Sequence, residues 1–213
     1  MFDIFTFGFM IRAFSAGTII ALLAPLIGTF LVARRYSLIA DSLSHVSLAG
    51  VAIGLITGIY PVYTALITTI LAALLIEQLR TSRRLSGESA LAIFLSGGLA
   101  VAITLIGLAN GFTVDLFSYL FGSITTVGQG DVWVIAVLGI VVGGIVSSLY
   151  KELFFVSFDE EVALVHGVPA RFLNSLLMVM TAVTVALSMR IVGALLVGAL
   201  MVIPVVAAMQ FAR

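Results

Sequence analysis

Two side chains that can bind a metal ion or carry a proton lie four residues apart in an otherwise apolar stretch. The segment IADSLSHVSLAG, residues 39–50, contains Asp41 and His45 together with three serines. In a helix, residues four apart share one face and are separated by one turn, so the carboxylate and the imidazole would be neighbours. Such a pair could bind a divalent ion, relay protons, or form a purely structural hydrogen bond.

The composition of the chain makes the position of this pair unusual. Of its 213 residues, 62% are hydrophobic and 9% are charged, and the mean hydropathy is +1.29. These values are typical of proteins with several membrane spans. The ten basic and ten acidic residues balance, so no nucleic-acid partner is expected. The chain has no cysteine, which excludes disulfides and thiolate metal sites.

Hydropathy, together with glycine, proline and basic residues, predicts about seven spans of the length that a bilayer requires. They lie near residues 10–33, 38–59, 62–79, 88–109, 131–150, 172–189 and 191–212. The segment 110–131 is too polar for a lipid-facing span. We predict that it is re-entrant or lies at the interface on the outer side, packed against other spans. The predicted fold is an all-α, polytopic transmembrane helical bundle that forms a single domain over residues 1–213.

The distribution of basic residues predicts the orientation of the chain. If the loop after the first span is cytoplasmic, only Arg12 and Arg190 lie outside. The basic residues that lie inside are Arg34, Arg35, Arg80, Arg83, Arg84, Lys151, Arg171 and Arg213. This bias predicts an outer N-terminus and a multi-pass membrane protein in contact with lipid.

Asp41 and His45 fall inside the second predicted span. With a rise of about 1.5 Å per residue, His45 lies roughly 10 Å along a helix that begins near residue 38. An ionisable side chain in a span is costly unless it is paired, hydrated or functional. A structural hydrogen bond, a proton relay and transient binding of Zn²⁺ or Mn²⁺ all remain open. Metal binding requires further ligands from a second helix, a second subunit or water.

A second candidate region is the predicted cytoplasmic loop 151–172. It contains an acidic cluster and a short helical pattern that ends at Gly167. The loop is either a solvated amphipathic turn or a helix that docks on a cytoplasmic partner. The acidic residues are Asp159, Glu160 and Glu161, and the apolar face of the pattern is formed by Phe158, Val162 and Val165.

The sequence contains no ATP site of the P-loop type. No G-x-x-x-x-G-K-[ST] motif occurs, and Lys151 is the only lysine. The predicted spans also lack the rows of acidic residues that ion-driven carriers often contain, so we expect another subunit to supply the energy. A secondary carrier or channel remains an alternative. An intramembrane metalloenzyme is disfavoured, because no H-E-x-x-H motif occurs and His45 is the only histidine in a predicted span.

Three parts of the chain resemble the membrane permeases of ATP-binding-cassette importers for zinc, manganese and iron. The first is FMIRAFSAGTIIALLAPLIGTFLVARRYSLIADSLSHVSLAGVAIG, and the second is DLFSYLFGSI. The third is FDEEVALVHGVP with the later IVGALLVGALMVIPVVAA. The match runs through nearly the whole chain in the order of the family, and the first segment is long and specific.

The resemblance implies a homodimeric permease in a prokaryotic plasma or inner membrane. It implies partnership with cytoplasmic ATPase subunits and with an extracellular or periplasmic metal-binding protein. The permease itself is then not an enzyme and has no permanent cofactor; Zn²⁺ or Mn²⁺ is the transported substrate. In SYLFGSI and FDEE the chain is more similar to the zinc members, so Zn²⁺ is expected, with Mn²⁺ or Fe²⁺ as the alternative.

The resemblance also assigns residues. Asp41 and His45 match the metal contact on the translocation path, and a two-fold dimer would supply one pair from each chain. The segment that docks on the ATPase corresponds here to Phe158, Asp159, Glu160, Glu161, Val162, Val165 and Gly167. Family members usually continue for about two more helices, so the resemblance predicts that this chain lacks the C-terminal helices of the family.

Overall fold

The computed structural model describes residues 7–82, 86–108, 116–123, 125 and 127–211, with backbone alone at 116 and 117. Its helices are α1 Gly8–Ala33, α2 Ile39–Thr57, α3 Pro61–Thr81, α4 Gly87–Leu108, α5 Leu116–Phe121, α6 Gln129–Ser148, α7 Tyr150–Phe158, α8 Glu160–Val165, α9 Ala170–Val192 and α10 Ala194–Phe211. Within these ranges there is no β-strand.

The helices confirm the predicted bundle. In the described part of the chain, seven helices are long and apolar enough to cross a membrane: α1, α2, α3, α4, α6, α9 and α10. Each corresponds to one predicted span, with ends that differ by no more than three residues. Hydropathy locates these helices well because each must cover the thickness of the bilayer with apolar side chains.

Two of the spans, α2 and α9, form the centre of the bundle. In their most apolar windows, 67% of the residues of α2 and 61% of those of α9 are buried, compared with 11% for α4. The long side chains of α4, among them Ile93 and Ile103, are exposed. The pair in α2 therefore lies at the centre of the protein, and α4 lies at its periphery.

The connection between α2 and α3 is short because its residues favour the end of one helix and the start of the next. Gly58 follows the last turn of α2 with a φ of 71°, the left-handed conformation that often ends a helix. Pro61 begins α3, where the missing N–H of proline has no cost. The central helix α2 and its neighbour α3 are thereby joined by a tight turn.

The predicted outer segment packs against the turn between α9 and α10. Gly122 follows α5 with a φ of +80°, and Gly193 separates α9 from α10 with a φ of +89°. A Cβ atom at Gly122 would collide with the backbone of Ile191, and one at Gly193 would collide with the backbone of Leu120. Both positions therefore require glycine. Residues 110–115, 124 and 126 of the predicted segment lie outside the described residues.

Basic side chains lie at the two ends of the bundle in the predicted distribution. At one end, Arg12 near the start of α1 donates its Nε–H to the carbonyl of Val127 at 3.1 Å, and Arg190 lies in the last turn of α9. At the other end, Arg34 follows α1 and Arg80 lies in the last turn of α3. Of the residues predicted to be cytoplasmic, Arg83, Arg84 and Arg213 lie outside the described residues.

Candidate functional site

Asp41 and His45 lie in the first two turns of α2, with both side chains half-buried. Asp41 is in the first turn, where the positive end of the helix dipole favours a carboxylate. The structure thus places the pair near the start of a candidate span, as the sequence predicts. Whether the pair contacts a metal stays a prediction.

The imidazole of His45 is not fully satisfied by the protein. Among the described residues, its buried Nδ1 atom has no hydrogen-bond partner. Buried polar atoms in folded proteins usually have one. Nδ1 therefore makes no hydrogen bond to Asp41 or to a neighbouring helix in the described part of the chain, which is what the structural interpretation would require of this atom. A neutral imidazole nitrogen without a partner can act as a ligand for a borderline metal ion.

Two helices approach the pair closely, each through a glycine. A Cβ atom on Gly198 of α10 would collide with the carboxylate of Asp41. A Cβ atom on Gly98 of α4 would lie 3.1 Å from the backbone carbon of His45 and 2.9 Å from the nitrogen of Val46. Small residues allow membrane helices to pack at short distance. The pair therefore lies where α4 and α10 converge on α2.

One chain offers few metal ligands. Among the described residues, no group of three or more His, Cys, Asp or Glu side chains is placed to hold a metal ion. Tight zinc sites in proteins use three or four protein ligands. Two ligands fit the predicted transient contact, which a second subunit or water must complete.

The predicted docking segment comprises the last residue of α7, which is Phe158, and the short helix α8. The Oδ1 atom of Asp159 accepts a hydrogen bond from the backbone N–H of Val162 at 3.0 Å and so caps the helix. Gly167, with a φ of +78°, lies just beyond the end of the helix. Ala163 is buried and anchors α8 on the bundle. The predicted apolar face is exposed, at 69% for Phe158, 40% for Val162 and 86% for Val165.

The acidic residues of this segment have different surroundings. The Oε1 atom of Glu160 accepts a hydrogen bond from the side-chain amide of Asn174 at 2.9 Å, and its Oε2 atom lies 3.8 Å from Nη2 of Arg80. Glu161 is exposed. Glu160 therefore faces the bundle, whereas Glu161 faces away from it, a difference that the run of acidic residues did not indicate.

Arg80 joins this segment to α3 and to the turn before α2. It donates hydrogen bonds to both carboxylate oxygens of Glu77, at 2.7 and 3.0 Å, and its guanidinium lies 5.3 Å from the ring centre of Tyr36. Nearby, Arg34 donates its Nε–H to the hydroxyl of Ser157 at 3.2 Å, and burial lowers the pKa of Arg34. The spacing of Glu77 and Arg80 on one helix could have indicated their pairing. Their link to α8 has no such local signal.

At the opposite end, Tyr60, Asp131 and Arg190 form a closed set of hydrogen bonds, here called the outer cluster. The hydroxyl of Tyr60 donates to Oδ1 of Asp131 at 2.5 Å, and Nη1 of Arg190 donates to the same oxygen at 2.6 Å and to the Tyr60 hydroxyl at 2.7 Å. The Oδ2 atom of Asp131 accepts from the N–H of Gly128 at 2.8 Å and so caps α6. Burial, followed by the hydrogen bond to Asp131, raises the pKa of Tyr60.

The outer cluster was missed by sequence reasoning. Asp131 is separated from Arg190 by 59 positions and from Tyr60 by 71. No periodic pattern connects residues that far apart in a single sequence. The basic residue assigned to the outer side, Arg190, was the one available signal, because charged residues within membrane spans often pair with one another.

Comparison with known proteins decides the family. The chain matches the profile of the ABC 3 transport family over residues 6–213. It belongs to the ABC 3 transport family. The match spans almost the whole chain and confirms the resemblance to importer permeases that the sequence motifs indicated.

Several relatives extend this assignment. A "Probable metal transport system membrane protein" of Treponema pallidum is 40% identical over 204 residues, which cover 96% of this chain and 76% of that protein. The "High-affinity zinc uptake system membrane protein ZnuB" of Haemophilus influenzae is 30% identical over 97% of this chain and 79% of its own length. The "Manganese import system permease protein ScaB" of Streptococcus gordonii is 32% identical, with coverages of 97% and 74%.

A solved structure shows the same fold for another relative. It is "PsaBC from Streptococcus pneumoniae in complex with Fab", which superimposes with a TM-score of 0.83 at 31% identity. The superposition covers 98% of this chain and 74% of that chain. Among ABC 3 relatives, the zinc and manganese proteins are about equally similar to this chain, at 30% and 32%. Overall identity therefore does not separate the two metals.

Proposed function

We propose that this chain is the membrane permease of an ATP-driven importer for a divalent transition metal, with Zn²⁺ as the expected substrate. In this proposal Asp41 and His45 contact the ion as it crosses the membrane. The observation that carries it is the imidazole of His45, whose buried Nδ1 atom has no partner among the described residues. It lies one helical turn from a carboxylate in the most buried candidate span. Membership of the ABC 3 transport family supports the same function.

The chemistry of the pair suits an ion in transit. A carboxylate oxygen and an imidazole nitrogen replace part of the hydration shell of a borderline ion such as Zn²⁺. Two ligands per chain hold the ion weakly, and transport requires that a bound ion can leave again. In a two-fold dimer, the same two residues of the second chain would face the first pair and complete the contact.

The ends of the bundle support the assignment of partners. Phe158, Val162 and Val165 expose an apolar face beside the acidic Glu161, which fits docking of α8 on a cytoplasmic ATPase subunit. The bias of basic residues toward the end that carries α8 supports a cytoplasmic location for that end and an N-terminus outside. A metal-binding protein would then deliver the ion to the end that carries α5 and the outer cluster.

The test is uptake of radioactive Zn²⁺ by vesicles that hold the chain together with its ATPase and binding-protein partners. Asp41→Asn and His45→Ala should each abolish ATP-dependent uptake, because each removes one ligand of a contact that has few. The matched control is Glu88→Gln, which neutralises an exposed acid in the first turn of α4. Normal uptake by both variants would contradict the metal contact, and uptake by the chain alone would contradict an ATP-driven importer.

Competition decides the choice of metal. If the substrate is Zn²⁺, an excess of unlabelled Zn²⁺ should suppress uptake of the label much more strongly than the same excess of Mn²⁺. Stronger competition by Mn²⁺ would move the assignment to manganese, as in the ScaB relative. Either result leaves the roles of Asp41 and His45 open to the variant test above.

A further inference from the structure

The carboxylate of Asp41 lies directly against the backbone of α10. The three atoms that a Cβ on Gly198 would meet first all belong to this carboxylate: its two oxygens and its Cγ carbon. Gly198 is buried, and it is the only glycine in α10. Any side chain at this position would therefore occupy the space of the carboxylate.

The backbone of α10 is held close to α1 at the next turn. There the carbonyl of Met201 lies where a Cβ on Gly28 would be, so the two helix backbones are in direct contact. A backbone contact of this kind cannot shift without moving a whole helix, whereas a carboxylate can turn about its side-chain torsions. When a larger residue replaces Gly198, the carboxylate of Asp41 is therefore the group that moves.

The position of this carboxylate matters if it contacts an ion. Groups that orient a metal ligand without touching the metal commonly change metal affinity when they are altered. Metal–ligand distances tolerate only about 0.2 Å of error. A glycine that determines the position of a liganding carboxylate therefore affects the binding of the ion through that carboxylate.

We propose that Gly198 is a positioning residue for the metal path: the absence of a side chain there seats the Asp41 carboxylate against α10, in the orientation that meets the ion. This inference rests on the proposed function, since it gives Asp41 its role. It adds that α10, and not α2 alone, determines how tightly the transported ion is held.

The experiment compares Gly198→Ala with Gly97→Ala in the reconstituted importer. Gly97 lies in α4, another candidate span, and a Cβ there would meet no atom within 4 Å. Both changes add one methyl group to a helix. We expect Gly198→Ala to raise the Zn²⁺ concentration for half-maximal uptake by roughly 10- to 100-fold, and Gly97→Ala to leave it unchanged. A lower maximal rate at an unchanged half-maximal concentration would show a merely structural role and overturn the proposal.

Asp41→Asn in the same assay separates this inference from the proposed function. Loss of uptake in Asp41→Asn with native behaviour in Gly198→Ala would overturn the positioning role and leave the metal contact intact. Normal uptake in Asp41→Asn would overturn the positioning role and the contact of Asp41 with the ion, and His45→Ala would then decide whether His45 contacts the ion. If Gly198→Ala yields little folded protein, the double variant Asp41→Ala with Gly198→Ala decides. Recovery of its yield supports the contact between the two residues, and failure to recover overturns it.

Discussion

The outer cluster and the Asp41–His45 pair show two ways of keeping charged groups inside one helical bundle. In the outer cluster, both carboxylate oxygens of Asp131 accept hydrogen bonds, and the donors come from different parts of the chain. In α2, the Nδ1 atom of His45 has no partner in the described part of the chain, and the Asp41 carboxylate occupies the space that a Cβ atom on Gly198 would need. The first arrangement holds helices together. The second leaves capacity for an additional ligand, which the proposed function requires.

The largest effect on stability should come from opening the outer cluster. Asp131→Ala leaves the guanidinium of Arg190 and the hydroxyl of Tyr60 without their shared acceptor, and it removes the cap of α6. Removal of one partner from a buried ion pair commonly costs several kcal/mol, so we expect the free energy of unfolding to fall by about 3 kcal/mol. Thermal unfolding in detergent measures this, with Glu88→Gln as the control. A stability equal to that of the control would mean that the cluster does not hold the helices together.

A smaller loss is expected at the opposite end, where the bonded acid is more exposed. Glu160→Gln weakens the hydrogen bond to Asn174 and removes the charge near Arg80, and we expect a loss of about 1 kcal/mol. Glu161→Gln, one residue further on, should leave stability unchanged because Glu161 is exposed.

Partner binding should rank the two variants in the opposite order to stability, with the larger loss at Glu161. Co-purification of the ATPase subunit should fall more for Glu161→Gln than for Glu160→Gln, because of these two residues only Glu161 faces outward beside the apolar face of α8. Equal losses of stability in the Glu160 and Glu161 variants would show that the inward bonds of Glu160 contribute nothing.

Only a small effect on stability is expected at the pair itself. Asp41→Asn keeps the shape of the side chain and removes a charge from a half-buried site, so the free energy of unfolding should stay within about 0.5 kcal/mol of the native value. The same variant should lose uptake. A loss of stability as large as that of Asp131→Ala would instead favour the structural interpretation of Asp41, and it would remove the contrast between the two regions.

Much of the fold could be predicted from the sequence because lipid imposes a simple rule. Each span must be apolar over about 20 residues, and this rule located helices such as α1 and α9 to within a few residues. The same rule made Asp41 and His45 conspicuous, since charged residues inside spans are rare. Their spacing on one face of α2 followed from helix geometry alone.

The contacts between helices could not be predicted, because they join residues that are far apart in the chain. Nothing local connects Asp131 with Arg190, or Gly198 with Asp41. The acidic run at the start of α8 had the same limitation: its composition does not reveal that Glu160 faces inward to Asn174 while Glu161 faces outward. Such partners depend on how the helices pack, and a single sequence contains no signal for that packing.

The glycine contact between the outer segment and the α9–α10 turn has a mechanical consequence. Gly193 lies five residues before Gly198, which is about 7.5 Å along the helix axis. The outer segment contacts the chain at Gly193, and Gly198 lies beside Asp41. The two contacts are thus at opposite ends of one short stretch of chain that can move as a lever. A tilt of α10 by about 10° around Gly193 would move Gly198 by about 1.3 Å, a distance comparable to the radius of a water molecule.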